Sequence, residues 1–313
     1  MNTTEKLKLY QQERFVLMTL DPVHIGTGGN RLGRVDNCIT REPGTRLPKI
    51  PGTSLSGAIR QYAAYQYESP RCAGTGQGDE KKGHCKEKTC PICYTFGFLN
   101  GQAGGQSGTV NIGDARLLLF PVYSLAGPVW VTCPDILNEL GHEQDDPGEQ
   151  VGLPEALSSH DHLNLGWLML ERAPKVFTCP DAIGVPKQIQ DQAVLISNNL
   201  FSQVVNSNLE VRTSVSIDPE TGAAKPGALF TYEAIPRAAL LWLDVVQDDY
   251  RQEGFNTVDK TETGKALPKK DQWEKPLDVV QAGLSLAEHL GIGGMGTRGF
   301  GRISILSHWE VTP

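Results

Sequence analysis

The sequence lacks the features that mark membrane and secreted proteins. No apolar run approaches the roughly 18 residues needed to span a bilayer. The segment from Met1 to Lys8 is polar, so it does not form an apolar signal segment. No internal repeat is visible either. We therefore expect a soluble cytoplasmic protein that has no membrane partner.

The chain also lacks a net positive charge. It carries 29 Lys and Arg against 36 Asp and Glu, a formal charge of −7, which argues against binding to nucleic acid. The charge is unevenly distributed, because residues 135–161 hold eight carboxylates and no Lys or Arg. Residues 30–71 hold seven Lys or Arg and three acids, a local charge of +4. This basic stretch keeps nucleic acid open as a ligand, and a solvated surface of mixed charge is the alternative.

The hydrophobic pattern predicts a mixed fold. With 313 residues, 39% of them hydrophobic, the chain can bury one large core or two modest ones. An apolar run at residues 14–20 predicts a buried strand, and helical spacing at residues 54–68 predicts an amphipathic helix that Thr53 or Ser54 could cap. Further strands are predicted at residues 109–120 and 302–306, and further helices at residues 134–140 and 277–290. The order is typical of an α+β, ferredoxin-like (RRM-like) core.

Two glycine-rich segments each carry an arginine in or just after the turn. The first glycine segment is residues 47–60 and the second glycine segment is residues 291–302. In the second, six of twelve residues are glycine, which suits left-handed backbone and close approach of the main chain to a ligand. Such turns expose backbone N–H groups to a phosphate. Together they predict a cradle for a nucleic-acid backbone.

Four of the seven cysteines form a metal-binding pattern. Cys72, Cys85, Cys90 and Cys93 lie within 22 residues, and His84 could replace Cys85 as a ligand. Tetrahedral zinc takes four nitrogen or sulfur ligands, and a Cys-x-x-Cys turn supplies two of them. We predict a structural zinc site, because four protein ligands leave no open position for catalysis. Four free thiols in a reducing compartment are the alternative.

Five separated parts of the sequence resemble one protein family. The most informative are Pro-Gly-Thr-Ser-Leu-x-Gly-x-x-Arg at residues 51–60 and Gly-Phe-Gly-Arg at residues 299–302. On these motifs the chain resembles the RAMP superfamily of CRISPR proteins over about residues 13–305. Within it, the chain most resembles the repeated backbone subunit of type III effector complexes. The resemblance is stronger to the Cmr-type subunit than to the Csm-type subunit. The other similar parts are residues 22–37, 114–134 and 217–233.

The resemblance implies one RAMP domain over residues 1–313. Within it we expect a zinc-binding insertion at residues 70–95 and a thumb region at residues 190–235. Residues 247–276 are polar and poor in large apolar side chains, which predicts a flexible insertion.

A hairpin is predicted inside the thumb region. Residues 210–217 alternate with period two, meet a turn at residues 218–222 and return through residues 228–232. In the family this hairpin wedges into the duplex of guide and target, and ordinary hairpin packing is the alternative. The apolar residues that would form the wedge are Val211, Val215, Ile217 and Phe230.

The resemblance assigns the chemistry to Asp36. The acidic residue at this position of the family's first loop is associated with metal-dependent cutting of target RNA that leaves a 2′,3′-cyclic phosphate, with a divalent cation such as Mg²⁺. A carboxylate suits this reaction because it can orient the 2′-OH, accept its proton or hold the cation. Its ordinary pKa of about 3.9 favours positioning and metal binding over proton transfer. The alternative is an aspartate that only forms a turn.

Three further residues are possible catalytic groups. His24 is an alternative acid or base, because some related RAMP nucleases use histidine to process guide RNA. A structural, hydrogen-bonded histidine is the competing interpretation. Tyr232 and Glu233 lie at the base of the predicted hairpin, where they could approach the scissile phosphate.

The resemblance places guide RNA on the two glycine segments. The family usually has a lysine where this chain has Ser56, so other residues must supply that phosphate contact. Binding is expected to be independent of sequence, because base pairing between guide and target supplies the specificity. The expected RNA-binding residues are Lys49, Gly52, Ser54, Gly57, Arg60, Gly294, Gly296 and Arg298.

These observations predict a guide-RNA-binding backbone subunit of a type III CRISPR effector. It would assemble head-to-tail with copies of itself and with other effector subunits, and it would cleave complementary target RNA at regular intervals. One alternative is a non-catalytic scaffold in the same kind of complex. Another is a zinc-stabilised nuclease that processes guide RNA alone through His24.

Overall fold

A computed structural model of the protein describes residues 10–28, 35–74, 84–85, 87, 89–99, 104–248, 255–267 and 272–311. No helix in these ranges is both long enough and apolar enough to cross a membrane. The strands are β1 (Gln11–Thr19), β2 (Lys49–Ile50), β3 (Gly97–Leu99), β4 (Gly105–Ser107), β5 (Val110–Ile112), β6 (Ala115–Ser124), β7 (Gly127–Thr132), β8 (Gln150–Val151), β9 (His162–Leu165), β10 (Leu168–Arg172), β11 (Ala193–Leu195), β12 (Glu210–Ile217), β13 (Ala224–Ala234), β14 (Leu240–Gln247) and β15 (Ile303–Glu310). The α-helices are α1 (Gly52–Gln66), α2 (Pro91–Phe96), α3 (Pro134–Glu139), α4 (Lys187–Gln190), α5 (Asn198–Ser207) and α6 (Pro276–Leu290).

The centre of the molecule is formed by two helices and four antiparallel strands of an eight-stranded sheet, which also contains β2, β5, β7 and β11. In space the strands are ordered β6, β14, β1 and β15, and each neighbouring pair is antiparallel. In the sequence they occur as β1, α1, β6, β14, α6 and β15. A β-α-β-β-α-β chain whose first strand lies between the third and the fourth is the ferredoxin-like arrangement. The predicted α+β fold is therefore confirmed.

The predicted strand at residues 109–120 is two strands, β5 and β6. The break falls at Gly113, whose N–H donates to the carbonyl of Asp244 at 2.9 Å. A side chain at Gly113 would press against β14, because an added Cβ would lie 3.0 Å from the carbonyl oxygen of Asp244. The break frees the next residue, Asp114, to turn toward the start of α1, where it accepts a hydrogen bond.

The N-terminus of α1 is capped by a distant residue. Thr53 and Ser54 were expected to cap this helix, but the cap position is Pro51, which makes no side-chain capping bond. The Gly52 N–H instead donates to Asp114 Oδ1 at 2.7 Å. A helix N-terminus needs acceptors for its free N–H groups, and an acid brought by the fold serves as well as a local one. The predicted local cap is therefore wrong.

Helices α1 and α6 lie against each other over the sheet. The α1 face that includes Leu55, Ile59 and Ala63 is fully buried. The closest approach falls at Gly283 of α6, where an added Cβ would lie 2.3 Å from the carbonyl oxygen of Ile59. Only glycine permits this spacing. The two helices therefore fix the second glycine segment, which follows α6 directly, relative to α1.

The polar region at residues 247–276 contributes to a second apolar cluster. Trp273 is 0% exposed and lies beside Tyr67, with the ring centroids 5.9 Å apart. Its backbone exchanges two hydrogen bonds with Val258. The same cluster contains Cys72, Cys90 and Cys93, so this tryptophan connects the region to the cysteine segment. Residues 249–254 and 268–271 of the predicted flexible insertion lie outside the described residues.

Candidate functional site

The hairpin of β12 and β13 is joined at its base to two earlier segments. Asn37 pairs with β13 through two backbone hydrogen bonds. Its N–H donates to the Thr231 carbonyl, and its carbonyl accepts the Glu233 N–H, both at 3.0 Å. Val23 and Ile235 also exchange two hydrogen bonds, of 2.8 and 3.0 Å. Three pieces of chain that are far apart in sequence therefore form one layer, and this layer holds the predicted catalytic residues.

Asp36 is exposed and is held by a single residue of β13. Its Oδ2 accepts hydrogen bonds from the Thr231 backbone N–H at 2.8 Å and from Thr231 Oγ1 at 2.9 Å. The Asp36 N–H donates to Thr231 Oγ1 at 3.0 Å. The bond from the Thr231 N–H, followed by that from its hydroxyl, lowers the pKa of Asp36. The carboxylate is thus ionised at neutral pH, and its Oδ1 accepts no hydrogen bond from the described residues.

His24 lies behind this loop and is only 8% exposed. Its Nδ1 is 2.6 Å from the carbonyl oxygen of Glu233. A carbonyl can only accept, so Nδ1 is the donor in this bond. The ring meets Tyr232 edge-on, with centroids 5.7 Å apart. His24 is therefore a buried residue held by a hydrogen bond and a ring contact.

Glu233 is engaged through both carboxylate oxygens and is 7% exposed. Its Oε1 pairs with Arg41 Nη2 at 2.6 Å, and its Oε2 accepts the Ile39 N–H at 3.1 Å. Arg41 also donates to Asn206 Oδ1 at 2.8 Å, so it connects the segment that follows Asp36 to α5. Glu233 thus anchors the segment that carries Asp36. No sequence pattern pointed to Arg41, because its partners lie more than 160 residues away.

The hairpin is exposed along most of its length and, apart from the contacts at its base, pairs with no other strand among the described residues. The prediction of a hairpin is confirmed, and its second strand begins earlier than expected, at Ala224. Phe230 is partly buried against the ring of Tyr232, with centroids 5.6 Å apart. The other predicted wedge residues are solvent-exposed, with fractions of 45% for Val211, 43% for Val215 and 52% for Ile217.

The first glycine segment is bound by groups of the protein itself. Lys49 Nζ forms an ion pair with Asp114 Oδ2 at 2.5 Å, beside the Gly52 contact already described. Burial would raise the pKa of Asp114, but the bonds from Lys49 and Gly52 hold it below its ordinary value. Arg60 Nε donates to the Cys72 carbonyl at 2.7 Å. An acid of the chain therefore lies where the sequence predicts a phosphate.

Ser54 and Gly57 lie on the first turns of α1. The Ser54 N–H donates to the Pro51 carbonyl at 2.9 Å, within the first turn. Gly57 is exposed, and an added Cβ would meet no atom within 4 Å. This position therefore faces outward and leaves room for a ligand.

The second glycine segment lies against the segment that carries His24. The Gly294 N–H donates to the His24 carbonyl at 2.9 Å, and Gly296 begins a short 3-10 turn that ends at Arg298. Arg298 is exposed, and its Nη1 lies 3.8 Å from Met295 Sδ. The predicted left-handed backbone is present at Gly291, Gly293, Gly299 and Gly301. This segment thus contacts His24, which in turn bonds to Glu233 at the base of the hairpin.

An arginine cluster beside the second glycine segment was not predicted. Arg302 binds Asp21 through two bonds, of 2.5 and 3.0 Å, and these bonds are the first cause of the lowered pKa of Asp21. Arg237 and Arg212 contribute to the same lowering, so all three guanidinium groups lie near one carboxylate. Arg212 also lies over the ring of Phe300, 4.8 Å from its centroid. Two of these arginines are paired with acids of the chain, Arg302 with Asp21 and Arg212 with Glu210, the latter at 2.5 Å.

The four predicted metal ligands are brought together. The sulfur atoms of Cys72, Cys85, Cys90 and Cys93 all lie within 4.8 Å of one another. Two of the separations are 3.8 Å, between Cys72 and Cys90, and 3.9 Å, between Cys85 and Cys93. A zinc–sulfur bond of about 2.3 Å implies a tetrahedron whose edges are about 3.8 Å. The donor set and its spacing therefore fit a tetrahedral thiolate site.

His84 is not part of this group of ligand atoms. Its ring packs against Phe98, with centroids 3.8 Å apart and the ring planes tilted by 34°, so Cys85 is the fourth ligand candidate. The buried Ser69 hydroxyl donates to Cys72 Sγ at 3.2 Å. Hydrogen bonds from the neighbouring thiols, Cys90 first, lower the pKa of Cys72. The hydrogen bonds to Cys72 raise the pKa of Cys90 and Cys93, and burial raises that of Cys85, so without a metal only Cys72 favours the thiolate form that binds metal.

Comparison with known proteins gives the chain a family. Residues 16–304 match the RAMP superfamily. The chain is 29% identical over 249 residues to the CRISPR system Cmr endoribonuclease Cmr4 of Pyrococcus furiosus, a match that covers 72% of this chain and 78% of that protein. It is also 37% identical over 65 residues to the CRISPR system Cms endoribonuclease Csm3 of Mycobacterium tuberculosis, which covers 21% of this chain and 28% of that protein.

Solved structures share the fold. A crystal structure of oligomeric Cmr4 from Pyrococcus furiosus aligns with a TM-score of 0.58 at 20% identity, over 97% of this chain and 100% of that one. A chain in the cryo-EM structure of the type III-B Cmr-beta complex bound to cognate target RNA aligns with a TM-score of 0.60 at 12% identity, over 94% and 96% of the two chains. Because the family match spans most of its length, this chain belongs to the RAMP superfamily.

Proposed function

We propose that this protein is a guide-RNA-binding backbone subunit of a type III CRISPR effector complex and that it cleaves complementary target RNA through Asp36. The similarity to the Cmr4 endoribonuclease and the fold shared with a chain of a target-bound Cmr complex support this proposal. One observation carries it. An exposed, ionised Asp36 is fixed by three hydrogen bonds to Thr231 at the base of a largely exposed hairpin.

The proposed reaction uses the 2′-OH of the target RNA. Asp36 Oδ1 accepts a hydrogen bond from that hydroxyl and aims it at the adjacent phosphorus. The 2′-oxygen then bonds to phosphorus as the bond to the 5′-oxygen breaks, which leaves a 2′,3′-cyclic phosphate and a 5′-OH. The 2′-OH proton goes to solvent and the leaving oxygen takes one from it, since the low pKa of Asp36 makes it a poor base. Exposed apolar residues of the hairpin would separate the base beside this phosphate.

The site has limited capacity for a divalent cation. Among the described residues, no group of three or more possible ligands includes Asp36. Mg²⁺ is commonly held by one or two carboxylates together with water and phosphate oxygens, so Asp36 Oδ1 and the RNA phosphate suffice. Such an ion would neutralise the charge that develops on the phosphate. His24 and Glu233 are not proposed as its ligands, because both are buried and hydrogen-bonded.

We propose that guide RNA follows the second glycine segment. Its backbone would approach Gly294, Gly296 and Arg298, with the arginine cluster beside them. Gly57 and Ser54 of α1 would lie along the same guide RNA. Lys49 and Gly52 can contact the RNA only after their bonds to Asp114 break. Copies of this chain assembled head-to-tail, with other effector subunits at the ends, would track the guide. The oligomeric crystal structure of Cmr4 supports self-association.

We also propose that the four cysteines hold a structural zinc ion. The zinc ion would order an insertion at residues 70–95. We propose that this insertion belongs to a single domain over residues 1–313, which also contains a thumb region at residues 190–235 and a second insertion at residues 247–276. The distances between the sulfur atoms match the edges of a tetrahedral zinc site, which supports bound zinc over four free thiols.

The test compares guide-loaded complexes that contain the wild-type protein or Asp36→Ala. Target binding and target cutting are recorded in the same samples. Regularly spaced cuts that disappear in the variant while binding persists are expected. Binding without any cutting by the wild type would favour the non-catalytic scaffold, and equal cutting by both proteins would move the chemistry to another residue.

A further inference from the structure

We propose that Thr231 is a positioning residue for target-RNA cleavage, which holds the Asp36 carboxylate so that only Oδ1 faces the RNA. The inference rests on the proposed function, because it concerns the geometry of the same site. It adds a residue that lies in the strand of the hairpin and not in the loop that carries the acid.

The Thr231 hydroxyl bonds to both parts of Asp36. It donates to the side chain at Oδ2, and it accepts from the backbone N–H of the same residue. The Thr231 N–H donates a further bond to Oδ2. One residue therefore fixes the rotation of the carboxylate and the backbone that carries it. Oδ2 accepts two bonds and Oδ1 accepts none from the described residues, so Oδ1 is the oxygen that we assign to the ligand.

Thr231 is itself held by contacts that do not involve its hydroxyl. Its carbonyl accepts the Asn37 N–H, and the Glu233 N–H two residues later donates to the Asn37 carbonyl. Glu233 is anchored in turn by Arg41 and by the Ile39 N–H. The strand therefore stays in place when the hydroxyl alone is removed, and the loss falls on the orientation of Asp36.

The hydroxyl matters because in-line attack depends on orientation. A displacement of about 1 Å can cost on the order of 100-fold in rate. Without the hydroxyl, Asp36 Oδ2 keeps one of its two bonds and the Asp36 N–H loses its acceptor. The carboxylate can then rotate and present either oxygen. The expected consequence is slower cutting with unchanged binding, since RNA affinity comes mainly from phosphate contacts elsewhere.

Thr231→Val is the decisive variant, because valine keeps the shape and the β-branch of threonine and lacks the hydroxyl. Thr231→Ser restores a hydroxyl. Thr213 supplies the matched control: it lies directly opposite Thr231 in the hairpin and is exposed. Its hydroxyl makes no bond to Asp36, whose bonds from the described residues all come from Thr231. Thr213→Val therefore makes the same chemical change on the neighbouring strand.

The experiment measures single-turnover cleavage at saturating target, target affinity and guide loading for assembled complexes of each protein. Thr231→Val should lower the saturating rate about 10- to 100-fold while affinity and loading stay within about twofold. Thr231→Ser should return the rate to within about threefold of wild type, and Thr213→Val should match wild type.

Two results would overturn the inference alone. One is a Thr231→Val complex that cuts at the wild-type rate while Asp36→Ala does not cut. The other is a Thr231→Val rate that falls only as far as target affinity or guide loading falls, with no rescue by Thr231→Ser. A wild-type complex that does not cut, or an Asp36→Ala complex that cuts normally, would instead refute the proposed function and the inference with it.

Discussion

The two glycine segments look alike in the sequence, but the fold gives them different surroundings. In the first, Lys49 and Gly52 are bound to Asp114, an acid of the chain that occupies the place predicted for a phosphate. In the second, Arg298 is exposed, whereas the neighbouring Arg302 is paired with Asp21. A glycine-rich turn before a helix is therefore not enough to identify an anion site, because the protein can supply its own anion.

The difference has a consequence for RNA binding. RNA can reach the second segment as it stands, but at the first it must compete with a carboxylate that is already paired. The first segment is also tied to the cysteine cluster, because Arg60 donates to the Cys72 carbonyl. We therefore expect Arg298 of the second segment, which is exposed, to contribute more to RNA binding than Lys49 of the first, which is paired with Asp114.

Loss of the metal site should have the largest effect. Cys90→Ser combined with Cys93→Ser, or treatment with a strong chelator, should lower the melting temperature by on the order of 10 °C, because a structural zinc site supplies much of the folding energy of its segment. Hydrogen exchange should rise in α1 around Arg60 and remain unchanged in the second glycine segment. Cys38→Ser, outside the cluster, is the control. Equal exchange changes in both segments would refute the separation between them.

Glycine substitutions in the two segments should have the second-largest effect, and they should change the free energy of unfolding differently. Gly301 has φ +98°, and an added Cβ would lie 2.4 Å from the carbonyl oxygen of Ile292. Gly301→Ala should lower the free energy of unfolding by more than about 2 kcal/mol. Gly57→Ala meets no atom and lies in a helix, so it should be neutral or raise stability by up to about 1 kcal/mol. Denaturant melts of the two variants make the comparison, and a destabilised Gly57→Ala protein would contradict it.

The acid at the first segment gives a smaller and pH-dependent effect. Asp114→Ala should lower the free energy of unfolding at pH 7 by about 1 kcal/mol through loss of the helix cap, since solvent screens the partly exposed pair with Lys49. The pKa of Asp114 is depressed in the folded protein, so its contribution is complete above the ordinary carboxyl range and disappears as the pH falls through the lowered value. Urea melts from pH 7 down to pH 3 should therefore show the gap closing. Asp114→Asn, which keeps a capping oxygen, should lose less, and a constant gap would count against the assignment.

Charge removal should show the smallest change and the clearest contrast. Arg298→Ala should weaken guide-RNA binding a few-fold and reduce the slope of log K against log salt by about 1, as expected when one phosphate contact is lost. Lys49→Ala should leave that slope unchanged, because its charge is already used by Asp114. Titrations at several salt concentrations decide the matter, and a reduced slope for Lys49→Ala would show that the pair opens to admit RNA.

The core of the fold could be predicted because its elements have strong periodic patterns. The buried strand β1, the helices α1 and α6 and the hairpin all follow from local sequence. The break between β5 and β6 could not be predicted, since it depends on a contact between Gly113 and Asp244 across the sheet. The cap of α1 was missed for the same reason, because the local rule favours Thr53 or Ser54 over an acid 62 residues away.

The site was only partly predictable. The family resemblance indicated Asp36 as the candidate acid, and cysteine spacing predicted the four cysteines whose sulfur atoms the fold brings together, because both depend on short motifs. Thr231 and Arg41 were missed because their partners lie 192 to 195 residues away and threonine in a strand is unremarkable. Trp273 was missed because a polar region surrounds it. Contacts between distant residues leave no local pattern, and most of the positioning in this site consists of such contacts.

The most direct test of the central claim is the chemistry of the cut ends. Target RNA should be incubated with guide-loaded wild-type complex and with the Asp36→Ala complex, and the products analysed by mass spectrometry. Fragments that end in a 2′,3′-cyclic phosphate and begin with a 5′-OH, formed by the wild type and absent from Asp36→Ala at equal target binding, are the predicted result. Fragments with 3′-OH and 5′-phosphate ends, or the same fragments from both complexes, would contradict cleavage by the 2′-OH through Asp36.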